Sequence, residues 1–104
     1  MSILVCIPAF NEERIIGKVV KDCLRYSDKV IVCDDGSSDK TYEEAGLAGA
    51  ICLRHKKNLG KGAALKSLFN FAKNSNFEII VTIDGDGQFL PEEIPKLVRP
   101  IEEN

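Results

Sequence analysis

Glu78-Ile79-Ile80-Val81-Thr82-Ile83-Asp84-Gly85-Asp86-Gly87-Gln88 joins an apolar run to a polar, glycine-rich one. Residues 79–83 are β-branched without exception, which predicts a buried strand. The strand then runs into a glycine-loosened turn carrying two carboxylates one residue apart. Open α/β sheets place their ligands at the C-terminal ends of strands. Asp84 and Asp86 can both face a hard divalent cation there. Such an ion keeps several waters, uses one or two protein carboxylates, and takes substrate phosphates for the rest. The stretch therefore predicts a place where a metal meets a diphosphate.

Working outward, the same strand-then-loop pattern recurs. Ile3-Leu4-Val5-Cys6-Ile7 is a continuous apolar run ended by Pro8. Asn11-Glu12-Glu13 is expected to open a helix, on which Ile15, Ile16, Val19, Val20, Cys23 and Leu24 recur at helical spacing. Val30-Ile31-Val32-Cys33 reads as a second strand. Thr41-Tyr42-Glu43-Glu44 has capping-box spacing and starts a short helix ended by Gly46 and Gly49, before a third strand at Ile51-Cys52-Leu53. From Gly62, Ala64, Leu65, Leu68, Phe69 and Ala72 mark a third helix, with Phe69, Phe71 and Phe77 expected in the core. Pro91-Glu92-Glu93 opens a last helical segment, kinked at Pro95 and interrupted near Pro100. The order β-α-β-α-β-α-β-α predicts a Rossmann-like parallel α/β sheet in one domain spanning residues 1–104.

Bulk properties narrow the function. A net charge of −2 without a long basic run argues against nucleic acid as a partner. No apolar run approaches the ~20 residues that span a bilayer, and the N-terminal apolar residues lead into a polar motif instead of a signal-peptide pattern. A cytoplasmic location is expected. Four cysteines without a C-x-x-C pair, and a single histidine, exclude a typical zinc site. Cys6, Cys23, Cys33 and Cys52 all fall at apolar positions and read as small buried hydrophobes.

Three more polar segments follow strands: Pro8-Ala9-Phe10-Asn11-Glu12, Asp34-Asp35-Gly36-Ser37-Ser38-Asp39, and Asn58-Leu59-Gly60-Lys61-Gly62. A parallel sheet gathers all of them on the edge that holds Asp84. Each has a plain alternative. Asp, Gly and Ser are common turn formers, so the second segment alone could be a turn. Gly60-Lys61-Gly62 lacks the third glycine of a dinucleotide fingerprint and the residues of a P-loop, which leaves Lys61 a solvated surface charge. The Asp84 segment starts like an EF-hand loop, but Phe89 replaces the required glycine and Pro95 the bidentate glutamate. His55, flanked by Arg54, Lys56 and Lys57, reads as a surface residue, and Glu92 and Glu93 as first-turn helix residues.

Taken together and in order, the four segments closely resemble family 2 glycosyltransferases, most of all the dolichyl-phosphate mannose synthase and polyprenyl-phosphate glycosyltransferase branch. The resemblance implies the N-terminal part of a GT-A nucleotide-diphospho-sugar transferase fold. It further implies a nucleotide-diphospho-sugar donor (GDP-mannose or a UDP-sugar), a Mg2+ or Mn2+ ion, and inversion at the anomeric carbon. Carried over by position, Pro8, Phe10 and Glu12 line the nucleoside pocket, with Phe10 where the family often has tyrosine. Asp34 and Asp35 match the acidic pair near base and ribose. Asp84 and Asp86, with Gly85 between them, match the D-x-D motif and its catalytic and metal-binding role, Asp86 ahead of Asp84 as the direct ligand, and Gln88 completes the coordination.

The resemblance covers the nucleotide-binding half of such a domain. The family continues with acceptor-side residues, so the chain is expected to be a fragment or a short protein holding the donor half. A lipid-phosphate acceptor would then be met through a further C-terminal part, at the cytoplasmic face of a membrane. An exposed sheet edge would also invite pairing between copies. Two other classes fit less of the pattern: a nucleotide-binding module that transfers nothing, and a receiver-type signalling domain. A receiver would carry its acidic pair after strand one, whereas here the acidic groups follow strands two and four.

Overall fold

The apolar run at the N-terminus becomes the central strand β1 (Ile3–Ala9), with six of its seven residues buried. In the computed structural model, which describes residues 2–87 and 91–95, β1 pairs in parallel with β2 (Lys29–Asp34) on one side. On its other side it pairs in parallel with β4 (Ile79–Thr82). β3 (Ile51–Arg54) lies outside β2, so the four-stranded sheet runs β3-β2-β1-β4.

Parallel neighbours require crossovers, and the helices supply them on both faces. Val5, Ile7 and Ala9 of β1 pack with Ile16, Val19, Val20 and Cys23 of α1 (Ile16–Leu24) and Ala45 of α2 (Thr41–Leu47). Leu4 and Cys6 point the other way, onto Ala64, Leu68 and Ala72 of α3 (Lys61–Ala72). The chain thus moves outward from β1 to β3 over one face and returns over the other to reach β4. Direction reverses between β1 and β4, the position at which such sheets open a ligand crevice. The order also excludes a receiver-type sheet, in which β1 lies between β2 and β3.

Pro8 contributes to that crevice. It does not end β1 as its sequence suggests: it stays in the strand, paired with Cys33, and β1 continues to Ala9↔Asp34. On the β4 side pairing stops at Cys6↔Thr82. The Cys6 carbonyl accepts from Ile83 on that side, and the Ala9 carbonyl from Asp35 on the other. Backbone groups alternate sides along a strand, so Pro8 faces β4, where its missing N–H leaves nothing to pair. The two strands part there.

Several expectations need correction. β4 is covered on one face: Ile79 and Val81 are buried, while Ile80 and Thr82 are exposed, because α3 packs over β1 and β2 instead. For the same reason Phe69 is half exposed, although Phe71 and Phe77 do pack against the core. α1 starts at Ile16, not at Asn11-Glu12-Glu13. Asn11 adopts φ +53°, and the amides of residues 11–13 are taken by the β2–α2 loop: Asn11 donates to Ser37 Oγ (2.8 Å), Glu12 to Thr41 Oγ1 (2.8 Å) and Glu13 to Asp39 Oδ2 (3.3 Å). Thr41 is therefore no N-cap. It is the buried first residue of α2, and Asp39 Oδ1 accepts from its amide at 2.9 Å and from its hydroxyl. Burial pushes the Asp39 carboxyl up, but the Thr41 hydroxyl and the Thr41 and Glu13 amides hold it below the ordinary value. α2 ends as Gly49 turns left-handed, with Gly49 N–H donating to Gly46 O and Ala50 N–H to Ala45 O, a Schellman ending. Pro91–Glu93 is a single 3-10 turn whose Pro91 is buried, and the breaks expected near Pro95 and Pro100 run into residues outside those described.

Gly36 joins the β2–α2 loop to the β3–α3 connection. At φ +75°, a Cβ on it would lie 2.3 Å from the Lys57 carbonyl carbon and 2.5 Å from the Asn58 nitrogen. Both are backbone atoms, so the clash cannot be relieved by rotating a side chain. Gly36→Ala is expected to destabilise the fold by about 3 kcal/mol or more, combining left-handed strain with overpacking. Gly62→Ala, where a Cβ meets nothing within 4 Å, should be neutral or stabilising by up to about 1 kcal/mol. Urea denaturation midpoints of the two variants check the contrast.

Candidate functional site

Three strand ends and one helix start converge where β1 and β4 part. A cleft of about 380 Å³ there is lined by Pro8, Ala9, Phe10 and Glu12 after β1, and by Asp35 after β2. Asn58, Gly60, Lys61 and Ala64 line it from the start of α3, and Asp84, Gly85 and Asp86 from the turn after β4. Seven of the residues expected from sequence to bind the donor thus share one cavity: Pro8, Phe10, Glu12, Asp35, Asp84, Gly85 and Asp86. Asp34 does not line it, and Gln88 lies outside the described residues.

The adjacent aspartates after β2 have separate tasks. Asp34 is fully buried. Its Oδ1 accepts from the Ser37 amide (3.1 Å) and the Ser37 hydroxyl, which shapes the turn. Its Oδ2 takes no hydrogen bond, and Arg54 Nε, 3.5 Å away, is near enough for an ion pair but outside hydrogen-bonding geometry. Arg54 is held over the Tyr42 ring, 4.7 Å from its centroid. Asp35, pointing oppositely, grips the β3–α3 connection. It accepts from the amides of Leu59 (2.9 Å) and Gly60 (2.8 Å) and from Asn58 Nδ2 (3.1 Å).

His55 completes that grip and is not the surface residue its neighbours suggest. Its side chain is 13% exposed, with Nδ1 2.7 Å from Asp35 Oδ1 and Nε2 2.8 Å from Ser67 Oγ on α3. The carboxylate can only accept, so Nδ1 carries the proton, and in the neutral ring Nε2 accepts from the Ser67 hydroxyl. Burial would push the Asp35 carboxyl up. His55 and the Leu59 and Gly60 amides outweigh it and hold the group below the ordinary carboxylate value. Only the contact across the sheet edge, invisible in a run of basic residues, reveals this role.

The rim near β4 is acidic. Burial, then the charges of Asp86 and Asp39, raise the Glu12 carboxyl above its usual value. Lys61 Nζ stands 2.6 Å from Asp84 Oδ1, so this lysine belongs to the cleft. Its place in Asn58-Leu59-Gly60-Lys61-Gly62, after a strand and at a helix start, was the available signal. Gly85 lets the two carboxylates approach β1: a Cβ there would lie 3.2 Å from both the Ala9 Cβ and the Pro8 carbonyl oxygen. Phe10, 44% exposed, presents an apolar ring to solvent at the mouth.

Among the described residues, no three His, Cys, Asp or Glu side chains gather into a self-sufficient metal site. The donor chemistry nonetheless fits Mg2+ or Mn2+. Asp84 and Asp86 offer hard oxygens, which suffice for an ion that draws its other ligands from water and phosphate. The ammonium on Asp84 already marks that oxygen as a seat for positive charge.

Asp35→Asn is expected to destabilise the fold by about 2–3 kcal/mol at pH 7, since it leaves buried donors without a charged acceptor. The carboxyl is depressed in the folded state, so its contribution is complete above the ordinary carboxylate value and fades as pH falls through the lower folded value. The stability gap between wild type and variant, measured by urea unfolding from pH 7 down to pH 3, should therefore narrow with acidification.

Comparison with known proteins agrees with this geometry. An uncharacterized protein of Methanocaldococcus jannaschii is 43% identical over 101 residues, covering 96% of this chain and 42% of its own length. The UDP-N-acetylglucosamine–dolichyl-phosphate N-acetylglucosaminyltransferase of Methanococcus voltae is 34% identical, covering 95% and 47%. The undecaprenyl-phosphate 4-deoxy-4-formamido-L-arabinose transferase of Proteus mirabilis is 35% identical, covering 98% and 34%. The chain thus spans less than half the length of these relatives. The crystal structure of Mycobacterium tuberculosis glucosyl-3-phosphoglycerate synthase with Mn2+, UDP-glucose and phosphoglyceric acid superposes with a TM-score of 0.77 at 32% identity, covering 96% of this chain and 39% of that one. The same enzyme has been crystallised with Mg2+ and UDP. The fold is accordingly that of the GT-A glycosyltransferases. Among the described residues no helix is long and apolar enough to cross a membrane. The family model for glycosyl transferase family 2 matches residues 4–104, and the chain belongs to that family.

Proposed function

We propose that this chain is the donor-binding part of a metal-dependent, inverting glycosyltransferase that moves a sugar from a nucleoside diphospho-sugar to a polyprenyl phosphate. The observation that carries the reading is the single cleft between β1 and β4 holding Phe10, Asp84, Asp86 and Lys61 together. The names of the archaeal and bacterial relatives support a lipid phosphate as acceptor.

Each lining residue has a task in this reading. Phe10 and Pro8 offer apolar surface to a base, and Glu12 and Asp35 border the ribose side. Asp84 and Asp86 would hold Mg2+ or Mn2+, with Gln88 as a further ligand. When bound, such an ion neutralises the charge that develops on the departing diphosphate. Lys61 adds a positive charge at the same rim. In the reaction an acceptor phosphate oxygen forms a bond to the anomeric carbon while the bond from that carbon to the diphosphate oxygen breaks. The nucleoside diphosphate leaves with the bonding electron pair, and one displacement inverts the configuration. A phosphate acceptor is already anionic at neutral pH, so no residue need remove a proton from it.

Calorimetric titration with UDP, GDP and their sugar conjugates, with and without Mn2+, tests the reading. One nucleotide should bind in a metal-dependent manner. Asp86→Ala should weaken that binding by about ten-fold or more while leaving the urea midpoint close to wild type, because Asp86 is exposed. Equal nucleotide affinity and metal dependence in the variant would overturn the assignment.

A further inference from the structure

Lys61 is the first residue of α3, and it follows Gly60 at φ +100°. Its ammonium meets Asp84 Oδ1 at 2.6 Å across the mouth of the cleft, and both side chains remain substantially exposed, at 62% and 49%. This pair links the helix start to the turn after β4, the two segments that border the cleft on either side of Pro8. With most of its side chain exposed, the lysine is not locked in place by packing and can exchange partners.

We propose that Lys61 is a built-in counter-ion that holds the metal's place on Asp84 until a divalent cation displaces it. This rests on the functional reading above, in which Asp84 serves a metal. An ammonium and a divalent ion held against one carboxylate repel each other at this range, and the ion, with twice the charge, outcompetes the ammonium for Asp84. An exposed ion pair is weak enough to be exchanged, and it opposes metal binding by only a small factor. The pair relieves part of the repulsion on a rim where burial, and after it the Asp86 charge, raises the Glu12 carboxyl. The displaced ammonium stays at the cleft mouth, where the anionic oxygens of a nucleoside diphosphate are its next partner. Metal and donor are thereby coupled: the ion that takes Asp84 releases a cation to the ligand that arrives with it.

The test uses Mg2+ alone, then UDP and GDP in the presence of Mg2+, on wild type and Lys61→Met. Calorimetry should show Mg2+ binding about two- to five-fold tighter in the variant, the factor expected from losing an exposed pair. In wild type at pH 6, side-chain 15N NMR should show the Lys61 ammonium signal shifting along the same Mg2+ saturation curve while the other lysine signals stay in place. Nucleoside diphosphate affinity at saturating Mg2+ should fall in Lys61→Met. Mg2+ saturation with an unmoved Lys61 signal, or Mg2+ affinity equal or lower in Lys61→Met, would overturn the counter-ion role. Failure of both nucleotides to bind wild type, with Lys61 still displaced by Mg2+, would instead overturn the donor-site reading and leave the exchange standing.

Discussion

A buried carboxylate must be matched by donors, and in this protein the match at Asp35 orders most of the cleft. The residue leaves β2 nearly inaccessible to solvent, and its two oxygens draw in His55, Asn58 and the amides of Leu59 and Gly60. That fixes the path of the β3–α3 connection and hence the point at which α3 begins. His55 carries the tie on to Ser67, so the helix is secured nearly two turns further along as well. Gly36 makes the same junction from the steric side, since its missing side chain is what lets the two loops touch. Lys61 reaches Asp84 only because this junction has placed the helix start at the cleft.

A second constraint comes from an amide that does not exist. Pro8 lets β1 remain paired with β2 up to Ala9 while contributing nothing toward β4. The gap opens beside the turn carrying Asp84 and Asp86, and Gly85 allows that turn to lie against the Pro8 carbonyl. The opening is thus built from one residue without a donor and one without a side chain. Around it the protein concentrates negative charge, with Glu12, Asp84 and Asp86 on one rim. Such crowding costs stability in the free protein and favours a cation, which is how binding sites commonly differ from the rest of a fold.

Much of the architecture was legible in the chain. Continuous β-branched and apolar runs at Ile3–Ile7, Val30–Cys33 and Ile79–Ile83, separated by helical spacing, led directly to a parallel α/β sheet with its polar loops on one edge. Local pattern fails where side chains answer to distant partners. Asn11-Glu12-Glu13 has the look of a helix start, yet its amides are taken by Ser37, Thr41 and Asp39, more than twenty residues away. Thr41 resembles a cap because spacing says nothing about its hydroxyl being held by Asp39 and facing the Glu12 amide. Ile80 and Phe69 read as core yet are exposed, because periodicity reports which residues share a face, not whether another layer covers it.

The strand-and-helix order, the family and seven of the residues that line the cleft are written in the chain itself, since local propensity and motif spacing are properties of neighbouring residues. Other roles emerge only on folding. It separated Asp34 from Asp35, one pinned beside Arg54 and the other facing the cleft. It turned His55 from a surface residue into a structural tie, and it set Lys61 on Asp84. The physical reason is common to all three: a charge takes its role from the partner within about 3 Å, and in a parallel sheet that partner comes from a different strand end.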